Sequence, residues 1–516
     1  MVIRPFGDSA LLVEVETLAD VLALHARLAQ TRPEGVLDLV PAARTVLVHV
    51  EPAVLPLATA RAWVSRTDTA PAESLEAADP GEPDEIELPI SYDGQDLVET
   101  ASILGVSVDA LIDRHLAARW AVAFTGFAPG FGYLVSEDWD LDVPRRATPR
   151  TRVPEGAVAL AGRFSGAYPR ETSGGWQLIG TTDATLFDPR APEPVLLRPG
   201  ARVRFRRSAT TTPARRLEPA VPAGTAAFTV ADPGPLTTVQ DAGRPGRLAE
   251  GVARSGVADR PAFAAANRLV GNLPGAAVLE ITLGGFRATA HRDLWVAATG
   301  AWAPIRVAGR EVDPYRAVHW PAGAELRVGA ARAGIRVVLA LRGGVAAAGA
   351  LGSVASDTLA GIGPTPLRAG DEVATADAAR HPVPVVDSWP WTPPPAALVV
   401  DVAAGPRADW FTPAARRAFL ETRWVVDARA DRVGIRLDGP PLQRTADAAA
   451  RELPSEGMLP GAVQVPPDGR PVVLGPDGPV TGGYPVVGVV TAVGRAALAQ
   501  ARPGSHLLIR SASPRL

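Results

Sequence analysis

Ser173-Gly-Gly-Trp-Gln-Leu-Ile-Gly-Thr181 and Thr481-Gly-Gly-Tyr-Pro-Val-Val-Gly-Val489 are two versions of one pattern: a Gly-Gly pair, one aromatic residue and a short apolar run. Each sits in the same ordered context. Gly156-Ala-Val precedes the first and Gly461-Ala-Val the second; Arg198-Pro-Gly-Ala-Arg-Val-Arg-Phe205 follows the first and Arg502-Pro-Gly-Ser-His-Leu-Leu-Ile509 the second. Gly156 and Gly174 are 18 residues apart, Gly461 and Gly482 are 21 apart. Weaker copies of the Gly turn lie at Pro321–Val328 and Arg368–Val373. A strand–turn–strand ending repeated in both halves points to duplicated β-barrels, not to a parallel βαβ sheet. The expectation is that residues 150–206 superpose on 455–511.

Outward from these repeats, many short Val/Ile/Leu runs are punctuated by Gly and Pro, as barrel strands require. The N-terminus differs. Ile3–Glu14 reads as two strands around a Gly7-Asp8 turn, Leu18, Val21, Leu22, His25 and Leu28 recur at helical spacing, and Thr45–Val50 alternates as a strand. His25 and His49 are read as interior-edge residues. Two short helical runs lie between Gln95 and His115, with Asp96 and Ser107 as N-caps. Three Pro-rich or polar stretches divide the chain: Thr67–Glu85, Ser208–Gly224 and Ala378–Pro395. The fold is therefore mainly β with an α+β N-terminal unit. Its expected divisions are an α+β domain at 1–84, a barrel at 85–207, a linker at 208–224, and barrels at 225–377 and 396–516.

Composition narrows the chemistry. The chain has 516 residues, a net charge of −3 and 21% charged residues, without the basic surface that nucleic acid demands. No apolar run reaches the ~20 residues of a membrane span, and no signal peptide is visible, so the expected location is the cytoplasm. Cys is absent, and all 52 basic residues are Arg. Disulfides, thiolate nucleophiles, a phosphate-binding Lys, a Schiff base and a biotinyl-lysine on this chain are excluded. Catalysis here must use Asp, Glu, His, Arg, Tyr, Ser, Thr or backbone amides.

Three motif regions stand out. Phe124-Thr-Gly-Phe-Ala-Pro-Gly-Phe-Gly-Tyr-Leu134 interleaves glycines with aromatics, as in a shaped loop beside a pocket or a tight barrel corner. Pro144-Arg-Arg-Ala-Thr-Pro-Arg-Thr-Arg-Val-Pro154 carries arginines suited to an anion, or a solvated face. Gln240, Asp241 and Arg244 share a Gly-rich turn, presented to a ligand or closed as a local ion pair. Asp259 serves as a helix cap or a site residue; Pro261 and Gly271 suit that helix's start and end.

With Tyr92-Asp-Gly94, Gly162-Arg163 and Gly166-Ala-Tyr-Pro169, residues 1–207 resemble the family of 5-oxoprolinase B subunits, also known as allophanate hydrolase subunit 1. Phe164 and Thr181 stand where that family's pattern leads us to expect Gln and Arg. Val230–Gly246, Leu341-Arg-Gly-Gly344, Leu351-Gly-Ser353, Ser356-Asp357, Asp431–Leu437, Pro454-Ser-Glu-Gly-Met458 and Gly461–Gly469 resemble the 5-oxoprolinase C subunits, or allophanate hydrolase subunit 2, over about 226–512. Gly363-Pro-Thr-Pro-Leu367 replaces a more Gly/Arg-rich family loop. The resemblance implies cyclophilin-like barrels. It further implies ATP-dependent opening of 5-oxo-L-proline to L-glutamate with Mg²⁺, in partnership with the enzyme's separate A subunit. A carboxyltransferase of the urea carboxylase kind and a histidine-kinase-binding regulator are the alternatives. On this reading Asp241, Arg244, Glu456 and His115 are catalytic candidates, with His115 equally a structural helix-end residue. Arg150, Arg163, Tyr168, Gln240, Asp259, Gln464 and Tyr484 are candidates for binding substrate or nucleotide, and Asp477 for holding Mg²⁺. Tyr92, Tyr133, Tyr168 and Tyr484, four of the five tyrosines, fall inside these motifs.

Overall fold

The computed structural model describes residues 1–69, 85–208, 224–385 and 389–512. Nearly all of the linkers expected at 208–224 and at 67–85, and residues 386–388 of the third, lie outside the described residues.

The N-terminal unit is a four-stranded antiparallel sheet of Val2–Phe6, Ala10–Glu14, Thr45–Val50 and Val36–Pro41, in that spatial order. The last of these strands had no sequence signal. Helices Leu18–Gln30 and Leu57–Thr69 cover one face. Thr17 and Asp20 form a reciprocal capping box at the start of the first helix. Because side chains alternate along a strand, Leu11 and Val13 meet Val21, Leu24 and Trp63 on the helix side. Phe6, Ala10, Leu12 and Leu47 point the other way, against Met458, Leu459, Val486 and Val489 of the C-terminal barrel.

The repeat is borne out as a barrel topology. The first barrel has seven strands: Glu85–Ile90, Trp120–Thr125, Gly132–Val135, Ala157–Ala161, Phe164–Ala167, Gln177–Thr181 and Arg202–Arg207. The C-terminal barrel has Ala397–Ala404, Arg423–Val426, Gly434–Asp438, Ala462–Gln464, Val472–Leu474, Val486–Val490 and His506–Ser511. Around both, the order is first, sixth, fourth, fifth, third, second, seventh. In both, first and seventh strands pair in parallel. A Ser91–Thr181 bridge closes the first barrel. The repeated turn glycines share left-handed backbone: Gly156 and Gly461 at φ +79° and +95°, Gly200 and Gly504 at +87° and +80°.

A further shared element escaped the sequence comparison. Helix Val108–Ala117 leads to Arg119-Trp120, and helix Pro413–Glu421 leads to Arg423-Trp424. Each indole Nε1 donates to the carbonyl five residues back: His115 O at 3.1 Å and Phe419 O at 3.0 Å. Ser107 caps the first of these helices as expected. Asp96 stands at the N-cap of Leu97–Ile103 but does not cap it; its carboxylate turns instead to Arg146, Arg150 and the Leu178 amide.

Between the barrels, Thr225–Thr375 forms two facing sheets of seven and five strands with one core, including Phe228, Phe286, Trp320 and Leu339. This strand order is not that of the flanking barrels, so the middle unit does not continue the repeat. Helix Arg260–Leu269 packs Phe263, Ala266 and Leu269 on Val278, Ala297 and Val338. Among the described residues, no helix is long and apolar enough to cross a membrane.

Candidate functional site at the junction of the two halves

The aromatic loop of the first barrel is clamped by the second half. Phe127, held at φ +66°, donates its amide to Thr481 Oγ1 at 2.8 Å. Gly130 donates to Glu250 O at 3.2 Å, and Thr125 Oγ1 to Ala249 O. A Cβ on Gly126 would come within 2.4 Å of Thr481 Oγ1, so that close approach requires glycine. The Phe124–Leu134 loop, the Thr481-Gly-Gly motif and the Arg247–Gly251 turn therefore meet at one seam.

Beside that seam lie three buried polar atoms with no protein partner: Arg170 Nη1, Arg244 Nη1 and Asp357 Oδ2. Arg170 comes from the first barrel, directly after Tyr168-Pro169; the other two come from the middle unit. Arg244 is 1% exposed, with its Nε on Ala350 O at 3.2 Å and Nη2 on Ala355 O. Asp357 is 3% exposed; its Oδ1 accepts from the Leu359 and Ala360 amides at 3.0 and 2.7 Å. Burial, then the nearby Asp477 charge, raise the Asp357 carboxyl to about 6 despite Arg244. Burial lowers both arginines, which the Asp357 charge partly offsets. Two cationic donors and a carboxyl that burial raises to about 6 thus share a corner.

The neighbouring candidates organise this corner. Asp241 accepts from Ser353 Oγ at 2.6 Å, Gly243 N at 2.7 Å and Val354 N at 2.9 Å, so it shapes the loop instead of facing a ligand. Gln240 Nε2 reaches Thr238 Oγ1 and Ser356 O, both at 3.0 Å, leaving a buried Oε1 without a partner. Gly363, at φ +82°, lets the altered family loop close over Arg244: a Cβ there would meet Ala355 O at 2.2 Å.

Several expected roles need correction. His115 is fully buried inside the first barrel, with Nδ1 2.8 Å from Tyr92 Oη and Nε2 2.9 Å from Ser165 Oγ. Burial pushes its pKa down to about 3, so the ring stays neutral and is structural. Arg150 is only partly engaged: Asp96 holds its Nη2, while its buried Nη1 has no hydrogen-bond partner. Arg163 occupies an exposed turn joining the fourth and fifth strands. Asp477 is not free for a metal: Arg432 Nε and Nη2 hold its two oxygens at 2.8 and 2.9 Å, and Thr358 donates twice more. Among the described residues, no group of three His, Asp or Glu is arranged to hold a metal ion.

Glu456 and Gln464 belong to a second cluster, next to the first barrel's mouth. Arg407 binds Glu456 Oε1 through Nε at 2.9 Å and through Nη2, and reaches Glu14 at 3.0 Å. Burial raises Glu456, partly countered by Arg407. Its Oε2 and Gln464 Nε2 are buried and unpartnered. Tyr168 is buried against Gly174, where a Cβ would lie 2.4 Å from the phenol oxygen, and Tyr484 is 45% exposed. Asp259 caps its helix through Ala262 N at 3.0 Å and accepts from Gln500 Nε2 at 2.7 Å. Sequence reasoning missed Arg170, Asp357, Arg407 and Arg432 as partners. Asp357 and Arg170 do flank motifs, Ser356-Asp357 and Tyr168-Pro-Arg170, and that adjacency was the available signal.

Residues 1–197 match the model described as carboxyltransferase domain, subdomain C and D, and residues 250–510 match carboxyltransferase domain, subdomain A and B. The chain belongs to the carboxyltransferase-domain family, and joins a half homologous to 5-oxoprolinase B subunits to a half homologous to 5-oxoprolinase C subunits. It is 37% identical to the 5-oxoprolinase C subunit of Escherichia coli (strain K12) over 262 residues, 50% of this chain and 82% of that one. It is 47% identical to the 5-oxoprolinase B subunit of Escherichia coli O157:H7 over 136 residues, 26% of this chain and 62% of that one. The crystal structure of TTHA0988 superposes with a TM-score of 0.86 at 36% identity, covering 99% of this chain and 100% of that chain. Within this fused B/C protein the two departures noted in the sequence are locally satisfied. Phe164 packs edge-on to Phe124 and Tyr133, and Thr181 Oγ1 donates to Asp93 at 2.9 Å.

Proposed function

We propose that this chain supplies the B and C parts of a cytoplasmic, ATP-dependent 5-oxoprolinase and works with that enzyme's separate A subunit. The observation that carries the reading is the corner of Arg170, Arg244 and Asp357. The substrate would bring a carboxylate, which the two unpartnered guanidinium atoms suit, and a lactam whose opening needs a proton moved at nitrogen. The γ-phosphoryl group of ATP would pass to the lactam oxygen with release of ADP; water adds at the carbonyl carbon and the C–N bond breaks to leave an acyl phosphate, which a second water hydrolyses to the carboxylate and free phosphate. The ring nitrogen departs as an amine, and Asp357, whose carboxyl burial raises to about 6, would supply its proton. Arg244 supports the developing charge. Asp477 is engaged by Arg432 and Thr358 and so does not fit an Mg²⁺ site.

The test is glutamate release from 5-oxoproline. The purified chain alone should release little, and the cognate A subunit should make release depend on ATP and Mg²⁺. Arg244→Ala should then lower turnover by more than about tenfold. A folded complex with the A subunit that neither binds 5-oxoproline nor hydrolyses ATP in response to it would sink the assignment. The family's name also favours a second reading, carboxyl transfer from carboxybiotin held on another chain. Carboxylation of urea at a rate matching a dedicated carboxyltransferase would put that reading first.

A further inference from the structure

Away from the junction, a cavity of about 220 Å³ opens between the middle unit, the Trp389–Pro394 connector and the C-terminal barrel. Its walls include Tyr315, Trp389 and Trp391, and its floor holds Asp259 and Gln500. Tyr315 and Trp391 stack at 5.2 Å with an interplanar angle of 9°. Arg268, which does not line the cavity, lies 5.3 Å from the centroid of Trp389, so that indole already attracts one cation. Tyr315 is held in the left-handed region at φ +58°, its phenol oxygen accepting from Gly300 N at 3.0 Å. A side chain fixed in strained backbone to complete an aromatic wall points to a built surface.

The charges beneath the cavity do not balance. Asp259, Glu280 and Asp477 face Arg336 and Arg432 in one buried group, three carboxylates against two guanidiniums. Arg432 is taken by Glu280 and Asp477. Arg336 lies 3.4 Å from Glu280 and donates to Ala499 O. Asp259 is the carboxylate left over, 7% exposed and hydrogen-bonded only to neutral donors, Ala262 N and Gln500 Nε2. Each of its oxygens keeps a lone pair open. Asp259 has no ion-pair partner among the described residues; Arg336 acts on it only from further away, and burial raises its carboxyl, so an organic ammonium ion entering beside the aromatic lining would stabilise its anion.

We propose that this cavity is a second ligand site, selective for an alkylammonium cation held by Asp259 and the Tyr315/Trp389/Trp391 wall. A neutral planar ring would gain from the aromatic faces but not from the unbalanced charge. Choline and its neutral isostere 3,3-dimethylbutan-1-ol separate these cases. The readout is ¹⁹F NMR of the full chain labelled with 5-fluorotryptophan, in which Trp389→Phe and Trp391→Phe assign two resonances. Choline should move those two saturably, the isostere at least about tenfold more weakly. Asp259→Asn keeps a capping side chain, so the fold survives while choline affinity falls at least about tenfold. Equal affinity for the neutral isostere, unchanged affinity in Asp259→Asn, or no saturable shift at either tryptophan would each overturn the proposal. None of these readouts involves oxoproline, so the proposed activity can fail without this site failing.

Discussion

Replacing Arg432 by Met keeps most of the side-chain volume and removes the cation that ties the middle unit to the C-terminal barrel. Arg432 is 2% exposed and donates to Glu280 at 2.6 Å, twice to Asp477, and to Gly256 O at 2.8 Å. Its loss leaves two carboxylates, 1% and 0% exposed, without their shared counter-charge. Glu280 would retain the Ala258 amide and Arg336, and Asp477 the two Thr358 donors. Breaking a buried pair of this kind costs roughly 3–5 kcal/mol. The sign with pH is set by Asp477. Burial alone would raise it, but Arg432 and Thr358 hold it below the usual carboxylate range. In the variant, burial dominates and the folded carboxyl lies above its unfolded value, so the folded variant gains relative to its unfolded chain as pH falls. The deficit should be largest near pH 8 and shrink toward pH 5. Urea unfolding at both pH values measures it, with hydrogen exchange of 278–282 and 472–474 reporting the seam directly, since a chain of this size need not unfold in two states. A deficit below about 1 kcal/mol, or one independent of pH, would refute the view that this ion group holds the two units together.

Asp357→Asn should remove a pH dependence of its own. A carboxyl raised to about 6 binds its proton more tightly when folded, so its contribution falls as pH rises from about 4 to 6; the wild-type-minus-variant difference in urea midpoint should show that slope. Thr481→Ala should orphan the Phe127 amide at a cost of roughly 1–3 kcal/mol, seen as faster exchange confined to residues 126–130. Trp424→Ala should destabilise the C-terminal barrel by roughly 3–5 kcal/mol in urea unfolding, since the ring is fully buried and its N–H anchors the preceding helix. If Trp120→Ala leaves the first barrel's stability untouched, the equivalence of the two Arg-Trp elements is wrong.

Local chemistry made the barrels legible. The Gly-Gly-aromatic strand and the Arg-Pro-Gly turn require particular backbone angles and close approaches, and those requirements are written in residue type. The Arg-Trp element was harder to see because only two letters recur; the shared feature is a hydrogen bond to a main-chain carbonyl, which leaves no sequence mark. The ion group was invisible for another reason. Glu280, Arg336, Arg432 and Asp477 come from distant stretches, and no spacing rule brings them together. The same holds for Arg170 and Asp357, joined only when the halves pack. For His115 the sequence left the catalytic and structural readings open, since a histidine at a helix end looks the same whether its ring faces water or a barrel core.

The outer face of the N-terminal sheet has a consequence for how the chain is made. Phe6, Leu12 and Leu47 leave the ribosome well before their cover, Met458 to Val489, which is synthesised more than four hundred residues later. At ordinary rates of about 5–20 residues per second, that face waits roughly 20–80 seconds in an apolar, aggregation-prone state. When the C-terminal barrel arrives it is already tethered to its target, so docking proceeds at an effective concentration fixed by the chain and not by the number of molecules in the cell.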